Sequence, residues 1–166
     1  MPTVCRQPFS APGDPLISPT MLADILRALS GSVPERLPEP DARLALAALL
    51  IRVAKSDGHY GDAERAAINN ILKDQDDLSP FEVAKLHREA EELEAEAPDT
   101  VRFTRAIKTA VDYEDRVHVI EALWKVALAD GVRDHEEDAL IRLVAPMLGV
   151  NDRDSALARQ RVENVE

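Results

Sequence analysis

The strongest constraint on the fold is an Asp-Gly pair that occurs twice, at residues 57–58 and at residues 130–131. A shift of 73 residues superposes the two pairs, and the same ungapped shift superposes Glu64 on Glu137. Apolar positions on both sides match in this register: Val53 with Val126, Ala54 with Ala127, Ala66 with Ala139 and Ile68 with Ile141. Agreement at so many positions indicates that one supersecondary unit occurs twice, with an approximate twofold relation between the copies.

Apolar residues recur with helical spacing around each Asp-Gly pair. Leu46, Leu50 and Val53 precede the first pair, and Ile120 and Trp124 precede the second. Aromatic residues make up only 4% of the chain, so the core must consist mainly of Leu, Ala, Val and Ile, which favours helices over sheets. The sequence therefore predicts an all-α fold, a compact bundle of about seven to eight helices. The single tryptophan is expected to anchor the core of this bundle.

The chain is long enough for one domain with a substantial core. Residues 1–18 are predicted to be an irregular leader, and residues 19–166 a single all-helical domain. This domain is expected to begin with a short helix over residues 19–31, which a proline-rich connector follows. The two pseudo-repeated helix–Asp-Gly–helix halves are predicted at about residues 41–75 and 114–148.

Three features predict a cytoplasmic protein. Cys5 is the only cysteine, so no intrachain disulfide can form, as is usual in a reducing compartment. The first twenty residues carry five prolines and lack the apolar stretch of a signal peptide. The longest uncharged apolar run, residues 44–51, is far shorter than the ~20 residues that span a bilayer, so no transmembrane segment is predicted.

The formal net charge of -11 argues against a nucleic-acid partner, because a duplex-binding protein needs a basic stripe to displace counterions. An acidic surface suits solubility, basic protein partners or divalent cations. The glutamate-rich residues 89–96 are expected to form a solvated face of a helix.

The acidic residue before each glycine is the unusual part of the repeat. Gly58 and Gly131 are expected to end their helices in the left-handed conformation. Asp57 and Asp130 would then lie near the negative end of a helix dipole, which costs up to about 1 kcal/mol. One interpretation is that each aspartate accepts backbone N–H groups and so shapes its turn. On this interpretation residues 134–137 form a capping box at the start of the next helix.

The other interpretation is that carboxylates of the two turns bind a hard divalent cation, Ca²⁺ or Mg²⁺. The spacing is not that of an EF-hand, because Asp57 and Glu64 are too close in sequence. Zinc is disfavoured, since His59 and His135 are not equivalent in the repeat and the only cysteine is distant. His87 and His118 are expected at the surface or its boundary. The candidate metal ligands are Asp57, Glu64, Asp130 and Glu137, with Asp62 and Asp134 as further candidates.

Residues 46–64 and 123–137, with their two Asp-Gly…Glu elements, resemble the TerB-like family of bacterial tellurite-resistance-associated proteins. Phe103, Thr104 and residues 112–116 are similar to the single-domain branch of that family. The resemblance covers about residues 40–160. It implies an all-helical bundle of two inverted halves, a loose association with stress response, and acidic loop residues that bind metal. The positions that match the family motif are Asp57, Glu64, Asp130 and Glu137.

These observations predict a non-enzymatic helical binding module that acts through protein partners and binds a divalent cation at its acidic inter-helix turns. A structural or scaffolding protein without metal is the alternative. An enzyme ranks third, because the sequence contains no legible nucleophile–base pair, phosphate loop or cofactor motif.

Overall fold

The computed structural model describes residues 40–165, apart from the side chain of Asp76. Within this range there are seven helices and no β-strand, so the predicted all-α fold is confirmed. The leader and the short helix expected over residues 19–31 lie outside the described residues. The helices are α1 (Ala42–Ala54), α2 (Asp62–Asp76), α3 (Pro80–Glu96), α4 (Val101–Ala110), α5 (Tyr113–Ala127), α6 (His135–Met147) and α7 (Asp152–Glu163).

Short polar side chains cap four of these helices, α1, α3, α6 and α7. The carboxylate of Asp41 accepts a hydrogen bond from a backbone N–H of the first turn of α1 at 2.8 Å, and Asn151 does the same for α7 at 2.8 Å. At α3, Ser79 and Glu82 form a reciprocal capping box, with Pro80 at the first helical position. Each cap satisfies an N–H group that has no partner inside the helix.

The first helix forms the centre of the bundle. Nine of the thirteen residues of α1 are buried, so the helix has no solvent-facing side and must be surrounded by others. It packs mainly against α3, α4 and α5, while α5 also packs against α7. Trp124 of α5 is 2% exposed, which confirms that it belongs to the core.

The glutamate-rich end of α3 differs in part from the expected solvated face. Glu94 is largely buried, and its carboxylate lies 3.2 Å from Nε of Arg52 and 3.0 Å from Nζ of Lys55. Arg52 also donates to the backbone carbonyls of Glu94 and Ala97. These bonds fasten the end of α3 to α1, because they satisfy carbonyl groups that a helix C-terminus leaves unpaired.

The sequence offset of 73 residues also relates the helix ends. The helix before the first Asp-Gly pair ends at Ala54 and the helix before the second at Ala127. The next helices begin at Asp62 and His135. The two turns therefore have the same length. The first lies between α1 and α2, and the second lies between α5 and α6. The relation of the two halves by a twofold axis stays a prediction.

Candidate metal centre at the two Asp-Gly turns

The two turns share the same local hydrogen bonds. Gly58 and Gly131 have φ angles of 80° and 74°, the left-handed conformation that the sequence predicted. Oδ1 of Asp57 accepts a hydrogen bond from the backbone N–H of His59 at 2.7 Å, and Oδ1 of Asp130 accepts one from Val132 at 2.8 Å. The turn-shaping role of the two aspartates is thereby confirmed. Each of these hydrogen bonds uses one of the two carboxylate oxygens.

Both aspartates lie in the turns and outside the preceding helices, which end three residues earlier. The expected conflict with the helix dipole is therefore weaker than the sequence suggested, because that effect falls off within the last helical turn.

Glu64 and Glu137 occupy the third position of α2 and α6, and both are buried, at 5% and 4% exposure. Glu64 folds back so that its Oε2 accepts a hydrogen bond from the N–H of Gly61 at 2.8 Å. In the second half the cap, Asp134, accepts a hydrogen bond from the N–H of Glu136 at 2.6 Å. Among residues 40–165, no hydrogen bond or ion pair reaches the carboxyl group of Glu137.

The capping box predicted for residues 134–137 is therefore only half formed: Asp134 caps α6, but Glu137 does not accept from the amide of Asp134. The corresponding glutamate bond occurs in the first turn, where Glu64 accepts from Gly61. The reason is the residue at the cap. Gly61 offers no side chain, so Glu64 is free to bond its amide, whereas the carboxylate of Asp134 repels that of Glu137.

Carboxylates from both turns act on Glu137. Burial is the largest cause that raises its pKa, which reaches about 8. The next largest causes are the negative charges of four neighbouring acids, Asp57, Asp130, Asp134 and Glu64, which also raise this pKa. Glu137 is consequently protonated for the most part at neutral pH. The fold thus brings five of the six candidate ligands into one electrostatic cluster, and Asp62 is not among its strongest members.

The family model of the tellurite resistance protein TerB matches residues 43–160. This span includes both turns and the greater part of each of the seven helices. The chain belongs to the TerB family. The resemblance stated from the sequence is thereby confirmed, and the chain is a helical module of this tellurite-resistance family. No curated protein and no solved structure matches the chain significantly. None of the TerB helices described above combines the length and the apolar character that crossing a membrane requires.

The acidic cluster of this TerB domain suits a hard cation in its chemistry but is not assembled as a coordination shell. In the described part of the chain, no three His, Cys, Asp or Glu side chains are placed so that they could hold a metal ion. Coordination would therefore require the side chains to move toward one another, with water completing the shell.

A buried polar cluster beside the first turn of the TerB domain was missed by the sequence analysis. His87 is 7% exposed, so its expected surface position is wrong. Its Nε2 lies 2.6 Å from the hydroxyl of Tyr60 and its Nδ1 lies 2.7 Å from Oδ1 of Asn69. Burial lowers the pKa of His87 and raises that of Tyr60. The available signal was the position of His87 between Val83 and Ala90, on the buried side of α3.

Proposed function

We propose that this TerB-family domain is a non-enzymatic binding module that takes up a divalent cation, Ca²⁺ or Mg²⁺, at the two Asp-Gly turns and acts through protein partners. The observation that carries the proposal is the concentration of carboxylates from both turns around the buried Glu137. Family membership supports the non-enzymatic part. The proposed ligands are drawn from Asp57, Glu64, Asp130, Glu137 and Asp134.

The electrostatics of the cluster favour a cation. Carboxylates that lie close together repel one another, and burial of one of them adds a desolvation cost. A divalent cation would relieve both penalties, and oxygen donors are the ligands that Ca²⁺ and Mg²⁺ prefer. The hydrogen bonds of Asp57 and Asp130 to their turns leave one oxygen of each side chain for coordination.

A cation at this position would connect the two halves of the domain. Asp57 lies in the turn after α1 and Glu64 in the first turn of α2, while Asp130 lies in the turn after α5 and Glu137 in the first turn of α6. A partner that recognises the surface near the turns would therefore respond to occupancy of the site, because ligands from four helix ends would become fixed together.

The alternative is a scaffolding protein without metal, in which the aspartates serve only to shape the turns. The same two hydrogen bonds favour it, since they already give Asp57 and Asp130 a structural role.

Metal titration of chelator-treated protein separates these two functions. At a cation concentration 100 times the dissociation constant, binding stabilises the fold by about 2.7 kcal/mol, which raises the melting temperature by roughly 5–10 °C. Asp57→Asn and Asp130→Asn keep an oxygen that can accept the turn hydrogen bond and remove the charge, so each should reduce or abolish the rise. Asp115→Asn, at an exposed carboxylate outside the cluster, is the matched control and should leave it unchanged.

The cation proposal fails if Ca²⁺, Mg²⁺ and Mn²⁺ all leave the melting curve unmoved, or if Asp57→Asn and Asp130→Asn respond to metal as Asp115→Asn does. In that case the scaffolding function remains. A partner recovered from cells with metal but not with chelator would support the module part of the proposal, and recovery that is independent of metal would contradict it.

A further inference from the structure

A cavity of about 340 Å³ opens between α5, α6 and α7, away from the acidic cluster. Its lining includes Trp124 of α5, Arg142 of α6 and Arg159 of α7. None of these residues is a candidate metal ligand. The size is that of a pocket for one small molecule or one side chain.

Trp124 forms part of the cavity wall, and its indole carries a buried donor without a partner. Trp124 is 2% exposed, and its Nε1 has no hydrogen-bond partner within the described part of the chain. Buried tryptophan N–H groups usually have a partner, and one that lacks it calls for an explanation such as a water, an ion or a ligand. Because the indole nitrogen can only donate, the missing partner must be an acceptor.

Two arginines line the cavity together with Trp124. The carbon at the centre of the Arg159 guanidinium is 5.7 Å from the centroid of the Trp124 ring. Nε of Arg159 is 3.4 Å from a carboxylate oxygen of Glu163, yet it donates no hydrogen bond to any described residue. The ring and the cation therefore both have donor capacity left beside the cavity.

Arg142 is the more available of the two arginines. Its side chain is 66% exposed, and the carboxylate oxygen nearest to it belongs to Asp138, at 4.0 Å. That same oxygen already accepts two hydrogen bonds from Arg133, at 2.6 and 2.9 Å. Asp138 is therefore already hydrogen-bonded to Arg133, and the guanidinium group of Arg142 keeps N–H donors for a further acceptor.

We propose that this cavity binds a carboxylate, either of a free small acid or of an acidic side chain on a peptide. The planar donors of an arginine match the two oxygens of a carboxylate, and the indole N–H supplies one more donor. Asp152 also lines the cavity, and Glu163 and Asp138 lie beside the two arginines, so these acids limit the ligand to a single negative charge. This anion site would be separate from the proposed cation site, and its test does not depend on metal.

The protein carries its own reporter for the test, because Trp124 is its only tryptophan. Acetate, an N-acetylated and amidated Ala-Asp-Ala peptide, and the matching Ala-Asn-Ala peptide are titrated at constant ionic strength while tryptophan emission is recorded. We expect a saturable change with acetate, with the Asp peptide, or with both, and no change with the Asn peptide. A response to acetate identifies a free acid as sufficient, whereas a response to the Asp peptide alone identifies a peptide side chain.

Arg142→Gln should weaken this binding by about tenfold or more, since it removes charge-assisted hydrogen bonds. Because the side chain of Arg142 is exposed, the variant should keep its fold. The matched control is Arg153→Gln, at an exposed arginine of α7 outside the cavity. Trp124→Phe keeps a packed ring without the N–H and should weaken binding in calorimetry. The proposal is overturned if no ligand gives a saturable response, if the Asn peptide binds as well as the Asp peptide, or if Arg142→Gln binds like Arg153→Gln.

Discussion

Replacement of Glu137 by glutamine gives the sharpest test of the acidic cluster. A glutamate ordinarily titrates near 4.5, and in the folded protein the pKa of Glu137 is raised to about 8. The folded state therefore holds this proton more tightly than the unfolded chain does. The stability that the proton contributes is fully present below pH 4.5 and is lost as the pH rises toward 8. Glutamine resembles the protonated acid and cannot lose a proton, so Glu137→Gln should not show this loss.

The size of the effect follows from the same values. At about 1.4 kcal/mol per pH unit, the difference between 4.5 and about 8 corresponds to an upper limit of about 5 kcal/mol. The neighbouring carboxylates titrate together with Glu137, and solvent and salt screen them, so we expect about 1–2 kcal/mol to be measured. Between pH 5 and pH 9 without divalent cations, the melting temperature of the unmodified protein should fall by roughly 3–6 °C relative to Glu137→Gln.

The control is Glu136→Gln, which makes the same change at the adjacent, exposed position of α6. Above about pH 8, where Glu137 has lost its proton, both variants remove one negative charge from the first turn of the helix, so their dipole effects match there. Melting curves by circular dichroism across this pH range provide the measurement. If the two variants show the same pH dependence, Glu137 does not hold a raised pKa and the reasoning from burial is refuted.

Three further results are expected. At pH 7, binding of Ca²⁺ or Mg²⁺ should release close to one proton from Glu137, since its pKa is about 8. Calorimetry in buffers of different ionisation enthalpy measures this proton release. The variant Glu137→Gln should abolish it. Gly131→Ala should destabilise the fold by about 1 kcal/mol in urea unfolding. The added Cβ meets no atom within 4 Å, so only the left-handed φ of 74° opposes the substitution. A loss above about 3 kcal/mol would contradict this account. Burial lowers the pKa of His87 below its usual 6.5, so the stability that neutral His87 contributes is present above pH 6.5 and is lost as the pH falls below it. His87→Gln should therefore show a smaller acid-induced drop in melting temperature than the exposed control His118→Gln, and equal drops would exclude His87 as the cause.

The turns were predictable because their determinants are local. A glycine that ends a helix in the left-handed conformation, and an aspartate that bonds the amide two residues later, depend on a few neighbouring residues. Trp124 was predictable for a similar reason, since apolar spacing along one helix is enough to place it in the core.

The inner arrangement of the site was not predictable in the same way. Glu64 and Glu137 are equivalent in the repeat, but their hydrogen bonds differ because one follows Gly61 and the other follows Asp134. The raised pKa of Glu137 depends on Asp57, which lies 80 residues away in the sequence. Periodicity reports which side of a helix is buried, and it contains no information about which charges a fold brings together.

The burial of nine of the thirteen residues of α1 has a consequence for how this domain can change over time. A helix with so little outward surface offers few positions where substitution is neutral, because each central side chain fills space between neighbours. Adaptation to new ligands or partners should therefore be confined to the surrounding helices and to the turns, where residues can be exchanged without repacking.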